Sequence, residues 1–189
     1  MSVDATISLE LKEKINVREI VKIICSEGIK EGRVIYRDDS DPIKSTINLT
    51  LNEAIKRNFQ QFTVHTNKDV YIKFNIKDNS LLIYIEDYIF QRRPKWVHRV
   101  IKKICRRFTP SKIKTEGDLR SYEVPWLIII PKDKFNKDLK EKMMEENIDF
   151  QDLKDGNFLV FITKDPLFVY SNKELERIKK FEETGELEI

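Results

Sequence analysis

The chain has 189 residues, 40% of them apolar and 35% charged, with 35 Lys and Arg against 32 Asp and Glu for a net charge of +3. That size and apolar content bound it to a folded protein of one large domain or two small ones. Five glycines and six prolines supply no Gly-rich phosphate loop, two cysteines make no disulfide framework, and the longest apolar run, Val124 to Ile130, is far short of a membrane span.

The first residues show no basic start followed by an apolar stretch, so no leader is expected and the expected location is cytoplasmic. From Ala5 to Leu11 apolar residues alternate with polar ones, the period of a half-buried strand. Asn16 is a fair N-cap for a helix that places Val17, Ile20, Val21, Ile24 and Cys25 on one face and ends at Gly28. Strands are expected over Gly32 to Arg37 and Ser45 to Thr50, and a short helix over Leu51 to Phe59. Phe62 to Thr66, Val70 to Ile76 and Leu81 to Ile85 read as further strands, the last two joined by the hairpin connection Lys77-Asp78-Asn79-Ser80.

Between Tyr88 and Thr115 the chain carries ten Lys or Arg residues and no Asp or Glu. Because the whole chain is only +3, the remainder is net acidic and the protein is electrically bipolar. Pro94 suits a first helical turn, and Val97, Val100, Ile101, Ile104, Cys105 and Phe108 follow at helical spacing as one apolar stripe. Lys95, Arg99, Lys102 and Arg106 fall together on the opposite face, flanked by Arg92, Lys103 and Arg107, in a row roughly 16 Å long. Trp96 sits on the shoulder near Lys103 and Arg107, where an exposed indole would stack on a base or meet a guanidinium.

Pro110 through Glu123 is polar and reads as an internal boundary. Trp126 to Ile130 is then a strand, Phe135, Leu139 and Met143 mark an amphipathic helix, and Phe158 to Ile162 is a strand entered through Asp155-Gly156-Asn157. A last helix follows Ser171, which stands in capping-box spacing to Glu174, and it turns Leu175, Ile178 and Phe181 inward. The segment Lys77 to Ile85 resembles Lys154 to Ile162 at an offset of 77, which also sets Ile101-Lys102-Lys103-Ile104 on Ile178-Lys179-Lys180-Phe181. Lys12 to Asn16 likewise resembles Lys132 to Asn136.

These observations predict an α+β fold, mostly antiparallel sheet with helices on one face, built as two related strand-helix-hairpin-helix halves. The first half spans 1–109 with an insertion near 39–66, 110–123 links, and 124–189 forms the second. Leu81 to Ile85, Trp126 to Ile130 and Phe158 to Ile162, being continuous apolar runs, are expected to be the most buried strands.

Catalytic chemistry finds little support. His65 and His98 lack sequence-level partners and read as surface or structural histidines, and His98 and Cys105 do not have paired metal-ligand spacing. No metal or cofactor is expected. The one activity with a matching spacing is a metal-dependent nuclease using Asp138, Asp152 and Lys154, with Glu86-Asp87. The expected function is therefore non-enzymatic binding, with Arg92, Lys95, Trp96, Arg99, Lys102, Lys103, Arg106 and Arg107 as the interaction face. Nucleic acid is the simplest polyanion for it. The alternative is an inhibitor, immunity or adaptor-type protein whose basic face meets an acidic protein, with a small-molecule sensor as a further reading. A membrane surface is not expected, since Val97, Val100 and Ile104 would have to leave the core to enter lipid.

Overall fold

The computed structural model describes residues 4–27, 33–36, 47–50, 56, 61–65, 71–86, 94–116, 126–162 and 172–189. The short helix expected over Leu51 to Phe59 lies outside them except for Lys56, as do the Ser171 cap and Gly28.

The strands are β1 (Asp4–Leu11), β2 (Arg33–Tyr36), β3 (Ile47–Thr50), β4 (Gln61–His65), β5 (Tyr71–Lys77), β6 (Ser80–Glu86), β7 (Pro110–Glu116), β8 (Leu127–Ile130), β9 (Asp149–Asp152) and β10 (Phe158–Phe161). The helices are α1 (Val17–Ser26), α2 (Pro94–Phe108), α3 (Lys137–Glu145) and α4 (Asn172–Thr184). Seven strands form one antiparallel sheet in the order β3-β2-β4-β5-β6-β1-β7, and three form another in the order β8-β10-β9. The α+β class and antiparallel sheets are those the sequence predicts.

Period-2 alternation in β1 explains the first layer. Ala5, Ile7, Leu9 and Leu11 are buried while Ser8 and Glu10 are exposed, and β6 repeats this with Leu81, Ile83 and Ile85 inward and Tyr84 outward. The inward residues meet Val17, Ile20, Val21 and Ile24 of α1 and the Val97-to-Phe108 stripe of α2 in one core. Burying each such aliphatic side chain contributes about 1.5–3 kcal/mol. Asn16 starts α1 by accepting from the Arg18 N–H at 3.0 Å, and Asn136 caps α3 through the Leu139 N–H at 2.8 Å.

The three-stranded sheet divides two cores. Leu127, Leu159 and Phe161 face the first core, whereas Ile128, Ile130, Val160 and Ile162 face Met143 of α3 and Ile178 of α4 in a second. Covering both faces is what the unbroken apolar runs of β8 and β10 require. The expectation that β6 ranks with them does not hold, because on its outer face Tyr84 is 36% exposed and Leu82 is half-buried.

Two further differences concern segments with weak patterns. Pro110–Glu116, read as the start of a linker, is strand β7 paired with β1, with Thr115 buried and Lys112 and Lys114 exposed; residues 117–125 lie outside the described set. Strand β9, with the sequence Asp-Phe-Gln-Asp, escaped the sequence reading because four residues with one apolar side chain give no periodicity. The strand triplets β5-β6-β1 and β9-β10-β8 have the same order and the same antiparallel directions.

Candidate interaction face on the basic helix

Helix α2 lies over the large sheet, beside α1, and carries the three-stranded sheet on its other flank. Its apolar stripe fixes the rotation, so its cations are divided between two neighbours.

Toward α1 the partners are glutamates. Arg99 Nε donates to Glu27 Oε2 at 2.7 Å, and Lys103 pairs with Glu27 Oε1 and also donates to Ser26 Oγ at 3.0 Å. One turn and more along, Arg107 donates to Glu19 at 2.8 Å and to Glu13 at 3.0 Å. The eight-residue step from Glu27 to Glu19 matches the step from Arg99 to Arg107 in reverse, as antiparallel helices demand. Glu27 is the most enclosed of these acids, its side chain 8% exposed. Burial pushes its carboxyl up, but the Lys103 and Arg99 hydrogen bonds outweigh that and hold it below the usual glutamate value.

Toward β9 and β10 the partner is Asp149. It accepts from Lys102, and its Oδ2 lies 3.4 Å from His98 Nδ1. Burial raises the Asp149 carboxyl, while His98 and Lys102 together pull it below the ordinary aspartate value. The buried His98 ring stacks on Phe161, with centroids 4.2 Å apart and planes at 22°. Gln151 Nε2 donates to the Lys102 carbonyl at 3.0 Å and Lys154 Nζ to the Arg107 carbonyl at 3.1 Å, which completes the seam.

The residues expected to form one free cationic face therefore fall into three sets. Lys102, Lys103, Arg99 and Arg107 are paired with carboxylates. Lys95 and Arg106 are exposed and have no carboxylate partner among the described residues. Arg92 lies outside the described residues. Trp96 is not an exposed shoulder: it is 7% exposed, and its indole N–H donates to the Glu27 carbonyl at 2.9 Å. Helix α1 covers that flank, which no wheel of α2 alone reveals.

Glu13, Glu19, Glu27 and Asp149 are the functional neighbours that sequence reasoning missed, being 47 to 94 residues away from the cations they hold. The acids near the C-terminus pair elsewhere, Glu188 with Lys180 and Glu186 with Lys134 at 3.6 Å.

Of the residues considered for a nuclease, Asp138 lies in a groove of about 630 Å³ beside Leu139 and Glu186, and Lys154 is committed to the Arg107 carbonyl. Among the described residues no group of three His, Cys, Asp or Glu side chains is placed to hold a metal ion. No helix among them is long and apolar enough to cross a membrane. A second groove, about 400 Å³, runs between β7 and β8 over Phe181 and Glu182. Cys105 is buried and free, and burial pushes its thiol up to about 12.

Comparison with protein families and with curated proteins returns no match. Among solved structures, the chain resembles the Pseudomonas aeruginosa T6SS protein PA0821 with a TM-score of 0.53 and 11% identity, over 91% of this chain and 68% of that one. That likeness is one of fold.

Proposed function

We propose that the protein is a non-enzymatic binding module of the inhibitor, immunity or adaptor kind, and that the α2 side of the molecule docks on an acidic protein surface. The observation that supports this reading is the interleaving of Glu13, Glu19, Glu27 and Asp149 with the cations of α2. Binding a phosphate backbone draws its affinity from uncommitted cations that release counterions, and sequence-tolerant single-strand binding adds exposed aromatic platforms. Here four of the cations have fixed carboxylate partners and Trp96 is enclosed. A surface of ordered, mixed charge with Lys95, Arg99 and Arg106 at its crest instead suits a protein partner, where the pattern of charge sets register and on-rate.

The test is capture from native lysate of the source cells with and without nuclease, using wild type and the triple variant Lys95→Glu, Arg99→Glu, Arg106→Glu. A single defined protein retained after nuclease treatment and lost with the triple variant supports the reading. Capture that disappears on nuclease treatment overturns it in favour of nucleic acid.

A further inference from the structure

The seam between α2 and the three-stranded sheet has a counterpart in two exposed surfaces elsewhere on the molecule, one around Tyr84 and one around Leu175. Within the chain, the outer face of β10 is covered by α2, and the central contact is Phe161 on His98. Under the offset of 77 that aligns the two hairpins and the two following helices, Phe161 corresponds to Tyr84 on β6, and His98 corresponds to Leu175 on α4. Strand order and direction around β6 and β10 are the same, so the correspondence is structural as well as sequential.

Tyr84 and Leu175 are two of three large hydrophobic side chains exposed among the described residues, at 36% and 43%. The third, Met144, is 63% exposed and lies in the last turn of α3, at the end that Glu146 ties to Lys173 and Arg177 of α4. Met144 and Leu175 thus sit at one end of the outer helix layer. At the other side of the molecule, Tyr84 shares the open sheet face with Leu82, Ser8, Lys112 and Lys114.

We propose that the chain self-associates head to tail, the α3–α4 layer of one copy docking through Leu175 and Met144 on the β6-β1-β7 face of the next around Tyr84. The contact repeats between molecules the stacking that joins the two halves within one. Both surfaces carry both signs of charge, Lys112, Lys114 and Glu10 on the sheet and Glu145, Glu176 and Lys179 on the helices, all exposed. Ion pairing then sets the register, and added salt weakens the association. Because the two surfaces differ, the interface is heterologous and extends into chains or closes into a ring. This inference is independent of the α2 face and its partner.

Sedimentation velocity from about 10 µM to about 1 mM, a range that brackets weak self-association, provides the test on wild type, Leu175→Glu and Tyr84→Glu. Wild type is expected to rise above its monomer mass of 22.6 kDa with concentration. Each variant alone, having lost one surface, is expected to associate at least tenfold more weakly. An equimolar mixture of the two, which retains one intact surface of each kind, is expected to form dimers and nothing larger. Lys114→Glu and Met144→Glu probe the same surfaces should either first variant fail to give a folded circular dichroism spectrum. A wild type that stays monomeric throughout, an association unchanged in the variants, or a mixture that forms no dimer overturns the proposal.

Discussion

Glu27 receives Arg99 Nε at 2.7 Å on one carboxylate oxygen and the Lys103 ammonium on the other, so a single acid just past the end of α1 neutralises the middle of the basic helix. Its own carbonyl holds the Trp96 indole. One residue therefore decides both how much of the positive field reaches solvent and where the aromatic side chain lies.

Glu27→Gln releases both cations and leaves a less well-satisfied polar group at a position 8% exposed. The expected loss of stability is about 1–3 kcal/mol, in the range of a hydrogen bond to a charged partner. The same change is expected to strengthen binding of a random oligonucleotide at low salt, because it restores two cations to the face. Urea melts and fluorescence anisotropy check the two effects separately.

Asp149 links the second half to α2, and its carboxyl is held below its ordinary value by His98 and Lys102 against the opposing effect of burial. A depressed folded-state value means that the contribution is present above the unfolded value, about 4, and is lost as pH falls through the lower folded value. Asp149→Asn is expected to cost about 1 kcal/mol at pH 7, an allowance that includes solvent screening at this partly exposed side chain. The gap between wild type and variant is expected to narrow below about pH 5 and to close only as pH falls through the lower folded-state value. Urea midpoints measured across that range read it directly.

Leu159 and Val160 are adjacent on β10 and fully buried, yet they belong to different cores. Each truncated to Ala is expected to cost about 1–4 kcal/mol, with Leu159 the larger. Because the sheet they share joins the cores, both variants are expected to move one common unfolding transition. Calorimetry showing two transitions, each sensitive to one variant only, would contradict the continuous packing.

Cys105 is expected to resist alkylation at pH 8, since its thiol is buried and its ionisation is pushed up to about 12. In a Cys25→Ser background, reaction with a thiol reagent should appear only as denaturant unfolds the chain.

Much of the fold is legible in the sequence because the signals are local. The alternation of Ile7, Leu9 and Leu11, the Asp78-Asn79 connection and the Val97-to-Phe108 stripe each specify an element from its own residues. The candidate site is less legible because its character is set by distant residues. Lys102 reads as a free cation until β9, a strand with no period of its own, brings Asp149 against it. Trp96 reads as exposed until α1 is laid beside it. The offset of 77 sets Tyr84 and Leu175 against Phe161 and His98, and that these two form a buried stack is visible only once β10 is laid on α2.

The most direct test of the central claim, that the helix's own protein neighbours have already taken up most of its charge, is the salt dependence of oligonucleotide binding. A labelled single strand titrated with wild type at several salt concentrations gives a log–log slope of roughly −0.7 per phosphate neutralised. With Lys95 and Arg106 the described α2 cations that lack a carboxylate partner, weak binding with a slope of about −1.4 is expected. A slope of about −3 or steeper, equivalent to four or more phosphate contacts, would contradict the account.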